Sequence, residues 1–468
     1  MSKIESLMSL ERPLMKAYTQ DIRGMLPVRE IARRVGDRCI SLSRDPSLKP
    51  RVIILTGLRG VGKTTILFQT MERLLKEDKE LDDVVYFSMD RASLSGATIR
   101  DLVEDYEKNI LGDHLVSSSD TKFFMIDEAH YSKDWDLQVK TLTDEAPNVA
   151  FIVSGSSSLE LSKSPDLARR SVSVNVPPLD YMEYLLIKTR REIKGYESVK
   201  IGDLLIEDDP EETIESFENS INRIRKNLRE LNGYSPGYLE NYILKGGLPY
   251  SVDVSDPYEI IYDTIRRVLE RDVPLIGKHD TNTLRSIPTL IGMIAPSPDI
   301  SMNSLSRDIE GISIKSIRSI LDTLYRSGLI FEVEHFGSVK KSLRIDTRKY
   351  FASSSLSSSI LHSMGGDPLR YMGSLVETAT SSTLYRSGST SFCVKYIKGK
   401  GLADFIVKTP SGNVAFEVGY GKKDNGMRQL KNTMKRVSCS YGILIADIPD
   451  LSLERDIIKI PLREFFCL

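Results

Sequence analysis

Residues 51–65 decide the fold, and they read Arg-Val-Ile-Ile-Leu-Thr-Gly-Leu-Arg-Gly-Val-Gly-Lys-Thr-Thr. The first six form a short β-branched run that ends at a glycine, which is typical of a buried parallel strand. The next eight match the pattern G-x-x-x-x-G-K-[ST]. Glycines let such a loop adopt backbone conformations closed to residues with a Cβ, so successive N–H groups point at phosphate oxygens. The stretch therefore predicts a phosphate-binding loop between a strand and a helix.

This loop predicts that the chain binds ATP with Mg²⁺. In the pattern, Lys63 bridges the β- and γ-phosphates and the Thr64 hydroxyl ligates the metal. The residues predicted to bind ATP are Gly57, Leu58, Arg59, Gly60, Val61, Gly62, Lys63, Thr64 and Thr65.

A second apolar strand, residues 123–126, delivers Asp127 and Glu128 to its carboxyl end. Ligands bind at this edge in open α/β sheets. Asp127 is predicted to hold Mg²⁺, and Glu128 to polarise the attacking water as a catalytic residue. Asp-Glu-Ala-His at 127–130 also spells a helicase box, but no set of further helicase motifs follows in order. His130 is therefore interpreted as an ordinary residue.

Two further catalytic candidates follow the next apolar run, residues 149–153. Ser154 stands at the end of that run, where it would contact the γ-phosphate or the water; a simple serine-rich turn explains it nearly as well. An arginine of the pair Arg169–Arg170 would stabilise the phosphoryl-transfer transition state, in cis or from a neighbouring subunit of a homo-oligomer; the resemblance described below points to Arg170. The alternative is that both are solvated surface arginines.

Composition excludes several classes of protein. The 468 residues include 64 Lys and Arg and 65 Asp and Glu, so the net charge is -1. This balance excludes a histone-like basic protein but allows a local basic patch. The longest apolar runs are too short to span a bilayer, so no membrane partner is expected. The four cysteines include no Cys-x-x-Cys pair, which favours reduced thiols and a cytoplasmic location.

The pattern of the sequence changes after residue 178. Strands alternate with helices up to the Pro177–Pro178 pair, which predicts an α/β parallel sheet covered on both faces. Helix formers then dominate, and residues 282–345 indicate three helices followed by a hairpin, with Gly328 at the end of the third helix. The serine-rich stretch 353–359 is interpreted as a flexible loop or linker.

These residues resemble archaeal and bacterial P-loop ATPases of the AAA superfamily that carry a winged-helix unit and a C-terminal PD-(D/E)XK nuclease-like domain. The resemblance rests on Ser154–Ser157, on Arg170 after Leu167, on Gly246-Gly247-Leu248-Pro249 and on Arg271-Asp272. The resemblance covers residues from about 28 onward. Together with the polar-amphipathic helical pattern of residues 1–48, it gives five segments. They are an N-terminal helical segment (1–48), a P-loop ATPase core (49–180), a helical lid (181–275), a winged-helix-like domain (276–348) and a small α/β nuclease-like domain (349–468).

The resemblance also implies a second site in the tail. Glu377, Asp404 and Glu417 correspond to carboxylates that bind Mg²⁺ in such nucleases. The family pattern Glu-x-Lys has Gly419 at its third position here, and Lys422 or Lys423 is the candidate to replace the lysine. Without that lysine, a degenerate structural or binding domain is favoured over an active nuclease.

The winged-helix interpretation predicts contacts to double-stranded DNA. Lys315 and Arg318 lie away from the apolar stripe of the third helix, and Lys340 and Lys341 fall at the hairpin tip. A helix in the major groove and a wing on phosphate would use these residues, although winged helices also bind proteins.

The favoured function is ATP hydrolysis coupled to a DNA-binding or regulatory C-terminal module. The alternatives are a nucleotide-gated DNA-binding switch with little turnover and an ATP-powered nuclease.

Overall fold

The structure is a computed structural model that describes residues 11–77, 79–156, 164–193, 201–205, 209–337, 346–421 and 425–468. The chain divides into two compact units, Met1–Pro177 and Pro178–Leu468, so the division falls within the Pro177–Pro178 pair. Across the described ranges, no helix has both the length and the apolar character needed to cross a membrane.

The first unit alternates helices and strands. In chain order they are α1 Glu11–Thr19, β1 Gln20–Asp21, β2 Gly24–Met25, α2 Glu30–Arg44, β3 Val52–Thr56, α3 Lys63–Lys76, β4 Val84–Ser88, α4 Met89–Ala92, α5 Ile99–Tyr106, β5 Lys122–Asp127, α6 Trp135–Glu145, β6 Val149–Ser154, α7 Pro165–Ala168 and β7 Ser171–Asn175.

Strands β3 to β7 form one parallel sheet in the order β4-β5-β6-β3-β7. Every residue of β3 and β6 is buried, as continuous apolar runs predict for strands covered on both faces. The strands predicted from the apolar runs at residues 51–56, 123–126 and 149–153 are confirmed as β3, β5 and β6. β7 was not predicted, because its alternating serines and valines make no apolar run. A five-stranded parallel sheet with a glycine-rich loop after β3 is the fold of a P-loop NTPase.

The predicted N-terminal helical segment, residues 1–48, is interrupted. The described part contains α1 and α2, separated by the short antiparallel hairpin of β1 and β2. Gly24 in this hairpin has φ +102°, a conformation that a helix does not use and that glycine adopts without strain. The hairpin therefore divides the described part of this segment into two helices.

The second unit contains the remaining elements. They are α8 Tyr181–Thr189, α9 Ile201–Leu204, α10 Pro210–Glu230, α11 Tyr238–Lys245, α12 Tyr258–Arg267, α13 Val273–Ile276, α14 Thr281–Ile294, α15 Met302–Asp308, α16 Ile314–Arg326, β8 Ile330–Val333, β9 Arg348–Phe351, α17 Ser354–Ser363, α18 Met372–Ser391, β10 Cys393–Lys395, β11 Phe405–Lys408, β12 Asn413–Val418, α19 Asn425–Val437, β13 Tyr441–Ala446, β14 Ser452–Glu454, β15 Ile457–Pro461 and α20 Leu462–Phe466.

Three helices followed by a two-stranded antiparallel sheet occupy residues 281–351, as the pattern predicted. They are α14, α15 and α16 with β8 and β9. The apolar stripe of α16 is buried at Ile317, Ile320, Leu321 and Leu324, while Ile314 is 40% exposed. Gly328 follows the helix with φ +76°, the left-handed conformation expected just past a helix end. The predicted hairpin tip, including Lys340 and Lys341, lies outside the described residues.

The serine-rich stretch 353–359 is not a loop. Residues 354–363 form α17, and every residue from Ser353 to Leu361 is buried. The Ser354 hydroxyl donates to the Ile243 carbonyl at 2.7 Å, and the Ser355 hydroxyl accepts from the Gly247 N–H at 3.3 Å. The compositional prediction failed because small side chains also permit close packing between backbones, and their hydroxyls are satisfied by neighbouring backbone groups.

The C-terminal sheet has the order β10-β11-β12-β13-β15-β14. β10, β11 and β12 are antiparallel, whereas β13 lies parallel to β12 after the intervening helix α19. Helix α19 packs on one face of this sheet through Leu430, Met427 and Met434.

Candidate functional site

The phosphate loop connects β3 to α3 at the carboxyl edge of the parallel sheet. Gly57, Gly60 and Gly62 all have φ between +83° and +146°, which residues with a side chain rarely adopt. A Cβ on Gly57 would also lie 2.3 Å from the Val176 carbonyl oxygen. Backbone conformation therefore requires all three glycines, and lack of space is a second reason for Gly57.

Lys63 begins α3 and its side chain folds back over the loop. Its Nζ donates to the carbonyl oxygens of Gly57 at 2.8 Å and Leu58 at 3.1 Å, and the residue is buried. These bonds hold the ammonium group at the loop, where the sequence predicted a phosphate contact.

Arg29 anchors the loop from outside the motif. Its guanidinium donates to the Val61 carbonyl at 2.8 Å and to the Pro177 carbonyl at 3.0 Å. The residue is buried, so two charge-assisted bonds fix the loop backbone in a water-poor setting. Sequence reasoning missed Arg29, because it lies 32 residues before the carbonyl that it binds.

Asp127 ends β5 and is the centre of the polar site. Its carboxylate accepts hydrogen bonds from the Thr64 hydroxyl at 2.7 Å, from the Tyr86 hydroxyl at 3.2 Å and from the Ser154 hydroxyl. Burial, together with the adjacent Asp127 carboxylate, raises the pKa of Tyr86 far above its ordinary value, so its hydroxyl keeps its proton and donates. Tyr86 was not predicted.

The Thr64 hydroxyl and the Asp127 carboxylate are hard oxygen donors held together at 2.7 Å. Mg²⁺ is bound in proteins by one or two such groups, with water and substrate phosphates completing the octahedron. These residues therefore fit the magnesium ion that a P-loop nucleotide site implies.

Glu128 follows Asp127 in an unusual backbone conformation. Its φ of 51° and ψ of 44° are left-handed, which costs on the order of 1–2 kcal/mol for a residue with a side chain. His130 lies against it, with Nδ1 3.4 Å from Glu128 Oε2. The sequence interpretation of His130 as an ordinary residue did not foresee this contact.

Arg170 lies at the opposite edge of the sheet from the phosphate loop. It precedes Ser171, which pairs with Val52 at the start of β3, whereas the loop follows the end of β3. A strand of this length separates the edges by roughly 15 Å. The Arg170 guanidinium binds Asp144 at 2.7 Å. The structure therefore does not bring Arg170 to Lys63 and Asp127 in cis, and the in-trans role stays a prediction.

An arginine, Arg348, lies next to two of the predicted tail residues, Glu377 and Asp404. Arg348 Nη1 lies 3.3 Å from Glu377 Oε1 and 3.3 Å from the Asp404 carbonyl oxygen. The Tyr350 hydroxyl also donates to Glu377 Oε1, at 2.8 Å. Burial opposes the charged guanidinium, but Tyr350, Glu377 and Asp404 together raise the pKa of Arg348 above its ordinary value. The positive charge beside Glu377 is therefore supplied by the Arg348 side chain.

The other tail residues are arranged differently from a metal site. Asp404 Oδ2 accepts from the Val418 N–H at 3.0 Å, and Glu417 is fully buried in β12. Within the described part of the chain, no group of three or more His, Cys, Asp or Glu side chains is placed to hold a metal ion. Lys422 lies outside that part. The nuclease-like site at Glu377, Asp404 and Glu417 therefore stays a prediction.

Two of the four predicted DNA-contact residues, Lys315 and Arg318, lie among the residues that the structure describes. Lys315 and Arg318 are exposed, and their i, i+3 spacing puts them on neighbouring positions of α16. Asp322 on the same helix pairs with Arg326 at 3.6 Å.

Two family models match separate parts of the chain. The model of a family described as an AAA domain matches residues 49–185. A domain of unknown function, DUF8612, matches residues 237–364, from α11 to just past α17.

Two solved structures give weaker, partial matches. They are the ORC2 protein of Aeropyrum pernix (13% identity, 76% of this chain, 98% of that chain, TM-score 0.33) and RuvB of Thermotoga maritima (15% identity, 66% and 90%, TM-score 0.28).

Two relatives come from Methanocaldococcus jannaschii. The uncharacterized protein MJ1637 is 31% identical over 428 residues, which cover 90% of this chain and 85% of the relative. The uncharacterized protein MJ1544 is 24% identical over 67% of this chain and 63% of its own length. The chain therefore belongs to the family that includes MJ1637, with an AAA domain of the P-loop NTPase fold at residues 49–185.

Proposed function

We propose that this protein is a Mg²⁺-dependent ATPase of the AAA superfamily that couples ATP turnover to its C-terminal module. One observation carries the proposal. The Thr64 hydroxyl, directly after the phosphate-loop lysine, donates to Asp127 at the end of β5 over 2.7 Å. This contact joins the two parts that nucleotide hydrolysis needs at one edge of the sheet.

Each residue has a distinct task in this proposal. The loop N–H groups and Lys63 bind the phosphates, while Thr64 and Asp127 hold Mg²⁺. When bound, the ion neutralises charge on the β- and γ-phosphate oxygens. Glu128 orients water so that its oxygen attacks the γ-phosphorus as the bond to the bridging oxygen breaks. The Ser154 hydroxyl positions the Asp127 carboxylate that it contacts.

Arg170 has a place in this scheme only as part of a homo-oligomer. Because it lies at the far edge of its own sheet, it reaches a nucleotide only from a second copy of the chain. It would there stabilise charge in the transition state.

Paired substitutions test the proposal. Glu128→Gln is expected to keep ATP bound and lower turnover at least 100-fold, because the amide no longer polarises water. Lys63→Ala is expected to abolish binding, since it removes the ammonium group that is held at the loop. Equilibrium binding of labelled ATP and phosphate release are measured on both.

Lys133→Ala is the matched control, because Lys133 is an exposed lysine of the same unit. It is expected to bind and hydrolyse ATP as the unaltered protein does. Turnover that survives both Glu128→Gln and Lys63→Ala would refute the proposal.

The C-terminal module is proposed to bind rather than to cleave. The half-buried Arg348 guanidinium contacts the Glu377 carboxylate and the Asp404 carbonyl oxygen, and its fixed charge disfavours a divalent cation there. The exposed Lys315 and Arg318 support contact with DNA by a winged-helix-like domain.

A further inference from the structure

Two segments of the tail carry charge of one sign. Residues 392–403 and 425–437 contain seven lysine and arginine residues and no aspartate or glutamate, in a chain whose net charge is -1. The seven are Lys395, Lys398, Lys400, Arg428, Lys431, Lys435 and Arg436. A solvated helix normally mixes both signs, because i, i+4 pairs of opposite charge stabilise it.

The fold places these two segments side by side. On α19, the Gln429 side chain donates to the Leu402 carbonyl at 3.0 Å. One turn later, the Thr433 hydroxyl accepts from the Ala403 N–H at 2.7 Å. The end of the loop that carries Lys398 and Lys400 is therefore held against the helix.

Contact at the far end of the helix makes the surface continuous. The Asn432 amide donates to the Gly401 carbonyl at 3.3 Å, one turn before Arg436. A Cβ on Gly399 would lie 3.4 Å from Arg436 Nη1, so this guanidinium borders the loop between Lys398 and Lys400.

Four of the seven side chains form what we name the basic face, namely Lys398, Lys400, Lys435 and Arg436. All four are exposed. Lys395 and Lys431 are instead directed to Glu334 at 2.5 Å and Glu454 at 4.0 Å. Within the described ranges, no carboxylate lies within the 4.0 Å of an ion pair from any of the four.

Local stability explains only half of this arrangement. Lys435 and Arg436 stand in the last turn of α19, where positive charge favourably opposes the helix dipole. Lys398 and Lys400 lie in a loop and gain nothing from that dipole. Bringing them beside Arg436 adds like-charge repulsion, which a polyanionic partner would offset.

We propose that the basic face docks onto the phosphodiester backbone of duplex DNA. Four cations on a helix and its adjoining loop match sequence-independent phosphate contacts. Within residues 392–403 and 425–437 the only aromatic side chains, Phe392 and Tyr396, are buried, so none is presented for stacking on unpaired bases. Duplex is therefore favoured over single strands.

This inference deepens the DNA-binding half of the proposed function and rests on that half alone. It is independent of ATP hydrolysis and of Lys315 and Arg318. ATP turnover is therefore measured on every variant, so that failure of DNA docking and failure of the ATPase proposal are separate results.

The test removes all four charges at once. The quadruple variant carries Lys398→Ser, Lys400→Ser, Lys435→Ser and Arg436→Ser, and its binding to a fluorescent duplex DNA is followed by anisotropy over a range of salt. Affinity at low salt is expected to fall at least tenfold. The slope of log K against log salt is expected to become shallower by about 3.6, since each of the four phosphate contacts contributes about 0.9.

A matched control removes four exposed charges from helices α10 and α12 of the same unit. It carries Lys226→Ser, Arg229→Ser, Arg266→Ser and Arg267→Ser. This control has the same net charge as the quadruple variant and is expected to keep the affinity and the salt slope of the unaltered protein. Thermal unfolding confirms that both variants are folded.

Several results would overturn the inference. These are equal affinity and slope in the quadruple and control variants, tighter binding to duplex RNA than to duplex DNA, and no DNA binding at low salt. Binding that persists in the quadruple variant but is lost in the double variant Lys315→Ser with Arg318→Ser would also overturn it. Selective loss in the quadruple variant, with ATP turnover intact, supports it.

Discussion

At the scale of single residues, the site depends on how the Asp127 carboxylate is held. Thr64 approaches it from the start of α3, Ser154 from the end of β6 and Tyr86 from β4. The Tyr86 ring is fixed by packing against Phe68, with ring centroids 4.3 Å apart. Tyr86 is therefore a positioning residue for the predicted magnesium ligand.

We predict that Tyr86→Phe weakens the response to Mg²⁺ and leaves ATP affinity unchanged. The substitution keeps the packed ring and removes one hydrogen bond to a carboxylate, worth about 1–2 kcal/mol. The Mg²⁺ concentration for half-maximal turnover is expected to rise about fivefold to thirtyfold. Turnover at saturating Mg²⁺ is expected to change far less.

Tyr106→Phe is the matched control for this prediction. Tyr106 is also a buried tyrosine of the first unit, and its hydroxyl donates to the Asp82 carbonyl at 2.5 Å. It loses a comparable bond that does not involve Asp127. Equal Mg²⁺ dependence in both variants would contradict the positioning role of Tyr86.

The division between predicted and unpredicted site residues follows sequence distance. Lys63 and Thr64 belong to one local motif, and Asp127 ends an apolar strand, so pattern alone located them. Arg29 and Tyr86 reach the site only through the order of strands and the path of the chain before β3. No local pattern encodes such contacts.

At the scale of elements, the buried helix α17 determines how its neighbours pack. A Cβ on Gly247 would lie 1.9 Å from Ser353 Oγ and 2.5 Å from Ser355 Oγ. The Gly247 N–H also donates to the Ser355 hydroxyl. The glycine and the serines therefore form one close-packed contact, which explains why a serine-rich stretch is helical and buried here.

Gly247→Ala is predicted to lower the stability of the second unit. The added methyl group forces the serines or the backbone to shift, and such overpacking costs about 1–3 kcal/mol. Thermal unfolding followed by circular dichroism measures the loss, which is expected as a lower midpoint.

Gly373→Ala provides the comparison. Gly373 lies in α18 with open space around the position of a Cβ, and its φ is not left-handed. Alanine favours a helix by up to about 1 kcal/mol, so stability is expected to stay level or rise. A midpoint for Gly247→Ala at or above that of Gly373→Ala would refute the packing argument.

The elements also show the limit of placing residues by motif order. Arg170 comes after β6 in sequence and directly before β7. Because β7 is parallel to β3, its first residue lies at the edge of the sheet opposite the phosphate loop, and so does Arg170. A linear pattern gives the order of strands along the chain but not which edge a connecting residue occupies. The amphipathic stripe of α16 and the alternation of strands with helices were predictable, because they depend on local periodicity.

At the scale of the whole molecule, the two units can be followed separately. The chain has a single tryptophan, Trp135, and it is 3% exposed in α6 of the first unit. Its fluorescence therefore reports the unfolding of that unit, even where unfolding of the whole chain is not two-state.

The stability of the first unit is expected to depend on pH through Glu11. This carboxyl group is 1% exposed and accepts from the Tyr86 N–H at 2.6 Å on the edge strand β4. Burial raises its pKa from the ordinary 4.5 to about 8. Between those values the folded state holds a proton that the unfolded state has lost, so the free energy of unfolding falls as pH rises.

Glu11→Gln is predicted to remove this loss. Glutamine is neutral at every pH and keeps an oxygen to accept the Tyr86 N–H, so the variant should match the unaltered protein near pH 4.5. At pH 8 it should be more stable by about 3 kcal/mol, at roughly 1.4 kcal/mol for each pKa unit with partial relief by solvent. Urea unfolding followed by Trp135 fluorescence measures the difference.

Glu212→Gln, at an exposed glutamate of the other unit, is the control and should show no such pH-dependent gain in stability. A gain for Glu11→Gln that stays constant from pH 4.5 to 8 would mean that Glu11 is ionised in the folded protein, and the burial argument would fail.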